Sequence, residues 1–168
     1  DSYATIPNEL WQFFIVAFSG APGVTFMDQL LKNYNNGLSV QQFVQIFTTK
    51  SQYLELYPSN LSQLEFATRL VNNVVQNSAA QQYKDLAVQD ILKQFSSGKS
   101  IGDVIYTSIG KMASLGEQSK IWGNTAKLFH NQIEVAKFYT DDMSQGTIDT
   151  DTLRSVISLV TYETDIST

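Results

Sequence analysis

The constraint that most narrows the fold is the spacing of apolar residues, which is helical along almost the whole chain. Leu10, Phe13, Phe14 and Ala17 follow the i, i+3, i+4, i+7 pattern of one helix face. Pro7 stands where a helix start tolerates it, and Gly20, Pro22 and Gly23 then break the run. Phe26, Met27, Leu30, Leu31 and Tyr34 make a second stripe that stops at Gly37. Ser39 with Gln42 and Ser62 with Glu65 both read as capping boxes, opening helices that carry Val40, Phe43 and Val44, and Phe66, Leu70 and Val71. Between them a short piece with Tyr53, Leu54 and Tyr57 ends at Pro58. Tyr83, Leu86, Ile91, Leu92 and Phe95 mark a further helix ending at Gly98, and Ser100 caps the next, with Ile101, Val104, Ile105 and Ile109. The longest helix is expected from about Gln118 to Met143, with Ile121, Trp122, Leu128, Phe129, Ile133, Ala136 and Tyr139 on one face and Gly146 as its stop. Asp149 or Thr150 then caps a last helix with Leu153, Val156, Ile157 and Val160. No convincing strand pair competes with this reading, so the expectation is an all-α, irregular multi-helix bundle.

The pattern also repeats within the chain. Leu30-Leu-Lys-Asn-Tyr-Asn-Asn-Gly-Leu-Ser-Val40 matches Ile91-Leu-Lys-Gln-Phe-Ser-Ser-Gly-Lys-Ser-Ile101. The offset is 61 for Lys32 and Lys93 (93 − 32), and it holds for Gly37 and Gly98, Ser39 and Ser100, and Lys50 and Lys111. The repeated unit is helix, Gly stop, Ser cap, helix: Gly releases the chain through a left-handed conformation and Ser starts the next helix. One helical domain over 1–168 is expected, with a first repeat at about 8–60, a second at about 62–113 and C-terminal helices at about 117–168.

Composition decides which function classes are open. Charged residues are 16% of the chain against a usual quarter, so Asn, Gln, Ser and Thr must make the surface, a neutral coat suited to carbohydrate or protein contacts. The net charge is −5, and the eleven Lys and Arg residues form no basic run. That footprint argues against nucleic acid and against a bare anionic membrane. The absence of cysteine excludes disulfides, thiolate metal sites and cysteine nucleophiles, and suits export through a one-step channel. The most apolar window, Leu10 to Phe18, is too short to cross a membrane and contains Gln12. No signal peptide is visible, and a start at Asp1 reads as part of a larger protein.

Chemical motifs are weak. Asp141 to Thr152 has the flavour of a calcium-binding loop, with Asp141, Gly146 and Asp149 at ligand or turn positions, but Met143 and Thr152 stand where oxygen ligands are required. A helix stop followed by a cap explains the segment better. His130, the single histidine, cannot furnish a multi-His zinc site, and no nucleophile elbow accompanies it. The pairs Asp141/Asp142 and Asp149/Asp151 leave a small glycan-cleaving enzyme as one alternative, although helix ends already explain acidic residues there. Asn60-Leu-Ser62 matches a glycosylation sequon and equally a loop plus a cap. Eight Tyr and two Trp in so weakly charged a chain are candidates for stacking on sugar rings. Trp11 and Trp122 fall on or beside core stripes, which leaves Tyr34, Tyr53 and Tyr57, with Asn35 and Asn36, as the expected binding face.

Two segments, Gly23-Val-Thr-Phe-Met-Asp-Gln-Leu30 and Asn36-Gly-Leu-Ser-Val-Gln-Gln-Phe43, resemble the helical repeat of exported bacterial surface proteins. Leu128-Phe-His-Asn-Gln-Ile-Glu-Val-Ala-Lys-Phe-Tyr139 resembles a segment that follows such repeats in type-I-secreted proteins, chiefly through Asn131, Val135, Ala136 and Tyr139. The layout is similar to the N-terminal anchoring regions of Gram-negative S-layer proteins, and most of the chain is covered. The resembled bend has an acidic residue before its Gly and a Trp after it. Here Ala21-Pro22-Gly23 is followed by Phe26 and Met27, and the second repeat has no Gly between Asn77 and Val88. The resemblance therefore supplies no residue list. It implies a secreted protein on the bacterial cell surface, a non-catalytic anchor holding the saccharide part of lipopolysaccharide or another surface glycan, and no cofactor in this domain. Calcium would belong to other regions of a full-length protein. Self-association in a lattice, or an adhesin module, is the protein–protein alternative.

Overall fold

A computed structural model of the chain describes residues 6–20, 24–142 and 155–167. The described residues are all-α, with nine helical segments as far as Asp142 and no strand. They are α1 (Asn8–Phe18), α2 (Val24–Asn35), α3 (Val40–Phe47), α4 (Ser51–Leu56), α5 (Gln63–Val75), α6 (Gln81–Ser96), α7 (Ile101–Ser114), α8 (Gly123–Lys137) and a π-helical turn over Phe138–Asp142 that continues α8. The last expected helix begins within residues 143–154, outside the described residues; beyond them 155–158 is helical, and Ile157 and Val160 are buried.

The local punctuation follows from side-chain chemistry. Ser39, Ser62 and Ser100 each accept the N–H three residues on, while Gln42, Glu65 and Asp103 reach back to the serine N–H, giving three complete capping boxes. Gly37 and Gly98 take φ of +103° and +95°, a region closed to most side chains. Around them the backbone bonds recur at the 61-residue offset: Leu38 N–H to Asn33 C=O, then Lys99 N–H to Gln94 C=O, and Gly37 to Tyr34, then Gly98 to Phe95. The Gly–Ser junction between two helices thus recurs locally, from α2 to α3 and from α6 to α7. The match ends at Lys50 and Lys111. The hydroxyls of Thr48 and Thr49 turn back onto the carbonyls of Gln45 and Ile46, so α3 stops and α4 restarts, whereas α7 runs on unbroken.

The core is organised around α1. Its buried residues run from Leu10 through Phe18 with Gln12 alone half-exposed, so the apolar window is a helix covered on nearly every side. α3, α4, α7 and α8 pack on it. Phe13 lies at the centre of a ring cluster with Phe18, Phe43 and Phe47 at centroid distances of 6.0, 6.1 and 5.5 Å. α5 and α6 form a hairpin that joins the same core, through α7 and through the Tyr57–Phe66 ring contact at 5.2 Å. The amide of Asn131 ties α8 to the C-terminal stretch by donating to the carbonyls of Thr161 and Thr164 at 3.0 and 3.1 Å.

The caps carry a pH dependence. Hydrogen bonds from the Ser62 and Ser100 backbone and side chains hold Glu65 and Asp103 below the usual carboxylate range. A depressed folded pKa contributes stability that is present above the unfolded value and lost as pH falls through the folded one. Thermal melts are therefore expected to show a falling midpoint as pH drops below about 4. Glu65→Gln, which keeps the amide acceptor that Gln42 already provides in α3, should flatten part of that slope. An unchanged slope in the variant contradicts the assignment.

Candidate functional site

Between α5, α6, α7 and the turn after α7 lies a cavity of about 500 Å³, within the range of small-molecule sites. Its lining includes two small side chains, Ala87 on α6 and Ser108 on α7. Below it, Ser78 at the hairpin tip donates to the Val75 carbonyl and pairs with buried Thr125 of α8 at 2.7 Å, fixing the α5–α6 corner. α5 contributes only aliphatic groups to the lining: Leu70, Val71, Val74 and Val75.

The turn Leu115–Trp122 closes one end. α8 was expected to begin near Gln118, but the Ser119 hydroxyl accepts from the N–H groups of Ile121 and Trp122 and holds them in a turn. The helix starts only at Gly123. That residue packs beneath the Glu117 carbonyl, where a Cβ would stand 2.6 Å from the oxygen. Trp122 is thereby placed against Tyr83, edge to face at 6.5 Å, and both line the cavity.

The polar wall comes from α6 and α7. Asp90 accepts from the ammonium of Lys111 and, at 3.0 Å, from Nε2 of Gln94. Lys111, with help from Gln94, holds the Asp90 carboxyl below its ordinary range, so it stays ionised at neutral pH and has no proton to give as a general acid. Because a carboxylate only accepts, the Gln94 amide nitrogen must face it. Its Oε1 is then left buried with no hydrogen-bond partner among the described residues. The wall thus combines an ammonium, a carboxylate, an amide and the hydroxyls of Ser108 and Ser114, beside two aromatic rings. Such a set can bind a hydroxyl-bearing ligand.

The binding face expected from sequence does not assemble. Tyr34 is half-buried, donates to Glu9 at 2.5 Å and has its pKa raised by that carboxylate; Asn35 and Asn36 beside it are exposed. Tyr53 and Tyr57 are corrected to core: they are 3% and 2% exposed, with rings 5.2 Å apart. Tyr53 lies on α4, which packs on α1, and Tyr57 is the residue that ends α4, packed on Tyr53 and against Phe66 of α5. The Tyr57 hydroxyl accepts from Asn73 at 2.9 Å, whereas that of Tyr53 is buried without a partner among the described residues, and burial pushes its pKa up. Tyr53→Phe is therefore expected to be neutral or stabilising by up to about 1 kcal/mol, and Tyr57→Phe to cost about 1 kcal/mol. Urea unfolding of the two variants checks this, and equal losses would contradict it.

Trp11 is fully buried, as its stripe implied, and His130 is exposed on α8. Both Asp pairs and the Asp141–Thr152 segment lie outside the residues whose side chains are described. No three His, Cys, Asp or Glu among the described residues are grouped to hold a metal ion, and no helix among them is long and apolar enough to cross a membrane. Sequence reasoning missed Tyr83, Asp90, Gln94, Lys111 and Trp122 as one site. Trp122 was absorbed into a core stripe, and no local pattern joins Asp90 to Lys111. Compared with protein-family models, curated proteins and solved structures, the chain has no match.

Proposed function

We propose that this chain is a non-catalytic anchoring domain of a secreted S-layer-type protein, holding it to the cell surface by binding the saccharide part of lipopolysaccharide. The observation that carries this reading is the Tyr83–Trp122 pair beside the Asp90–Lys111–Gln94 wall. An aromatic face covers the apolar face of a sugar ring, while mixed donors and acceptors meet its hydroxyls. The neutral Asn, Gln, Ser and Thr surface and the resemblance to surface repeats support the same reading. The site moves from the expected Tyr34, Asn35 and Asn36 cluster to the cavity, because Tyr34 already spends its hydroxyl on Glu9.

Titration with intact lipopolysaccharide and with the same lipid stripped of its outer saccharide tests it. Saturable binding to the intact form alone is expected. Trp122→Ala should weaken that binding about tenfold, one lost stacking contact of about 1.4 kcal/mol, and Asn35→Ala with Asn36→Ala should leave it unchanged. No binding to either form sinks the anchor. The second reading is a lattice or adhesin contact, favoured by Leu64, Phe138 and Leu159 at 54%, 55% and 87% exposed. It requires concentration-dependent self-association without glycan in sedimentation velocity.

A further inference from the structure

The saccharide reading accounts for only one side of the cavity. Away from Asp90, Gln94 and Lys111, the lining is aliphatic: α5 presents Leu70, Val71 and Val74, and Met112 and Leu115 continue it. None of these side chains offers a hydrogen bond, so a sugar pushed against them would lose the water on its hydroxyls and gain nothing in return. A hydrocarbon chain loses nothing there, and apolar cavities of this kind take apolar guests. The apolar surface extends outward. Leu86 and Ile121 line the cavity and are 64% and 40% exposed, so a chain entering past them would also cover surface now in water.

The rim selects the head group. Asp90 and Lys111 cancel each other's charge, so neither a carboxylate nor an ammonium finds a free countercharge there. What the rim offers is both donors and acceptors: the Lys111 ammonium donates, the Asp90 carboxylate accepts, and the Ser108 and Ser114 hydroxyls, whose protons go to the Val104 and Lys111 carbonyls, are left as acceptors. A neutral polyol uses both kinds; an ionised head uses one and meets the other as repulsion.

We propose that the cavity holds the alkyl chain of a neutral, hydroxyl-bearing amphiphile of the alkyl glycoside or glycolipid class, its chain against α5 and its sugar at the Asp90–Lys111 rim beside Trp122. This rests on the cavity being the glycan site, and adds that the site reads the sugar together with an attached hydrocarbon.

Octyl glucoside below its critical micelle concentration is the probe, with glucose, octanol and octanoate as separate arms, each followed by calorimetric titration and by the shift in unfolding temperature. Octyl glucoside is expected to bind saturably and raise the unfolding temperature. Octanol and octanoate should bind about tenfold or more weakly, and glucose undetectably. Ala87→Phe, which fills the cavity from α6, should abolish octyl glucoside binding while keeping a cooperative unfolding transition. If that variant does not fold, Ser108→Leu fills the same space from α7. No binding of octyl glucoside, equal binding of octanol or octanoate, or wild-type binding by a folded cavity-filled variant each overturns the proposal. The anchor reading fails separately: octyl glucoside binding without lipopolysaccharide binding removes the anchor alone, whereas binding of the lipid-free saccharide without octyl glucoside removes the alkyl chain alone.

Discussion

Phe13→Ala is expected to remove about 3–5 kcal/mol from the unfolding free energy, the usual cost of truncating a fully buried Phe. The ring has no solvent exposure, and it touches rings from both ends of the α1–α3 contact: Phe18 on its own helix, Phe43 and Phe47 on the other. Two terms add. The transfer energy of the ring is lost, and the void is walled by other rings, which are rigid and cannot collapse into it. Against a total stability of about 5–15 kcal/mol, that loss is about a fifth or more of the whole. The melting midpoint should fall by about 6–20 °C, since each kcal/mol is worth about 2–4 °C at this size. Urea unfolding followed by far-ultraviolet circular dichroism should show the midpoint shifting with little change in slope. A loss below about 1 kcal/mol would mean that α1 is not the centre of the core.

The second large effect is at Gly123. Alanine ordinarily favours a helix over glycine by about 1 kcal/mol, so propensity alone argues that Gly123→Ala should stabilise α8. Geometry reverses the sign. The added methyl would meet the Glu117 carbonyl oxygen at 2.6 Å and its carbon at 3.3 Å, and both atoms belong to the backbone of a tight turn. A flexible side chain could swing aside; this backbone must shift as a unit, at about 1–3 kcal/mol. Gly110→Ala is the matched control. Gly110 lies exposed in α7 with nothing within 4 Å of a new Cβ, so it should gain about 0.5–1 kcal/mol. Opposite signs for the two variants are the expected result, and a stabilising Gly123→Ala would refute the close approach. Because Trp122 precedes Gly123, the same substitution should also displace the indole from Tyr83 and weaken ligand binding at the cavity.

What could be read from the sequence was what neighbouring residues decide between themselves. Ser39, Ser62 and Ser100, each just ahead of an apolar stripe, cap the helices expected of them; Gly37 and Gly98 take the left-handed turns their positions required. Where a longer-range contact intervened, the reading slipped. Ile121 and Trp122 keep phase with the stripe of α8, so periodicity ran the helix back through them, although the Ser119 hydroxyl had already taken their N–H groups. Tyr53 and Tyr57 looked like surface aromatics because a one-turn helix has too few residues to define a face, and packing on α1 chose it for them. The cavity was the least visible feature. Its lining is gathered from α5, α6, α7 and the turn before α8, and residues so far apart in the chain carry no shared periodic signal.

The central position of α1 has a consequence for how the chain comes into being. A ribosome delivers the N-terminus first, so the most apolar helix emerges before anything that covers it. α3 and α4 follow early, but α7 and α8 close the remaining sides and are among the last described helices to appear. Until they do, the segment from Leu10 to Phe18 is an adhesive surface without its lid, the kind of surface that holdase chaperones bind and that drives aggregation. Native burial of this helix waits on residues distant in the chain, so folding is expected to be concerted and late. A domain arranged in this way stays incompletely folded until α8 has been made, and a truncation ahead of α8 leaves α1 without part of its cover.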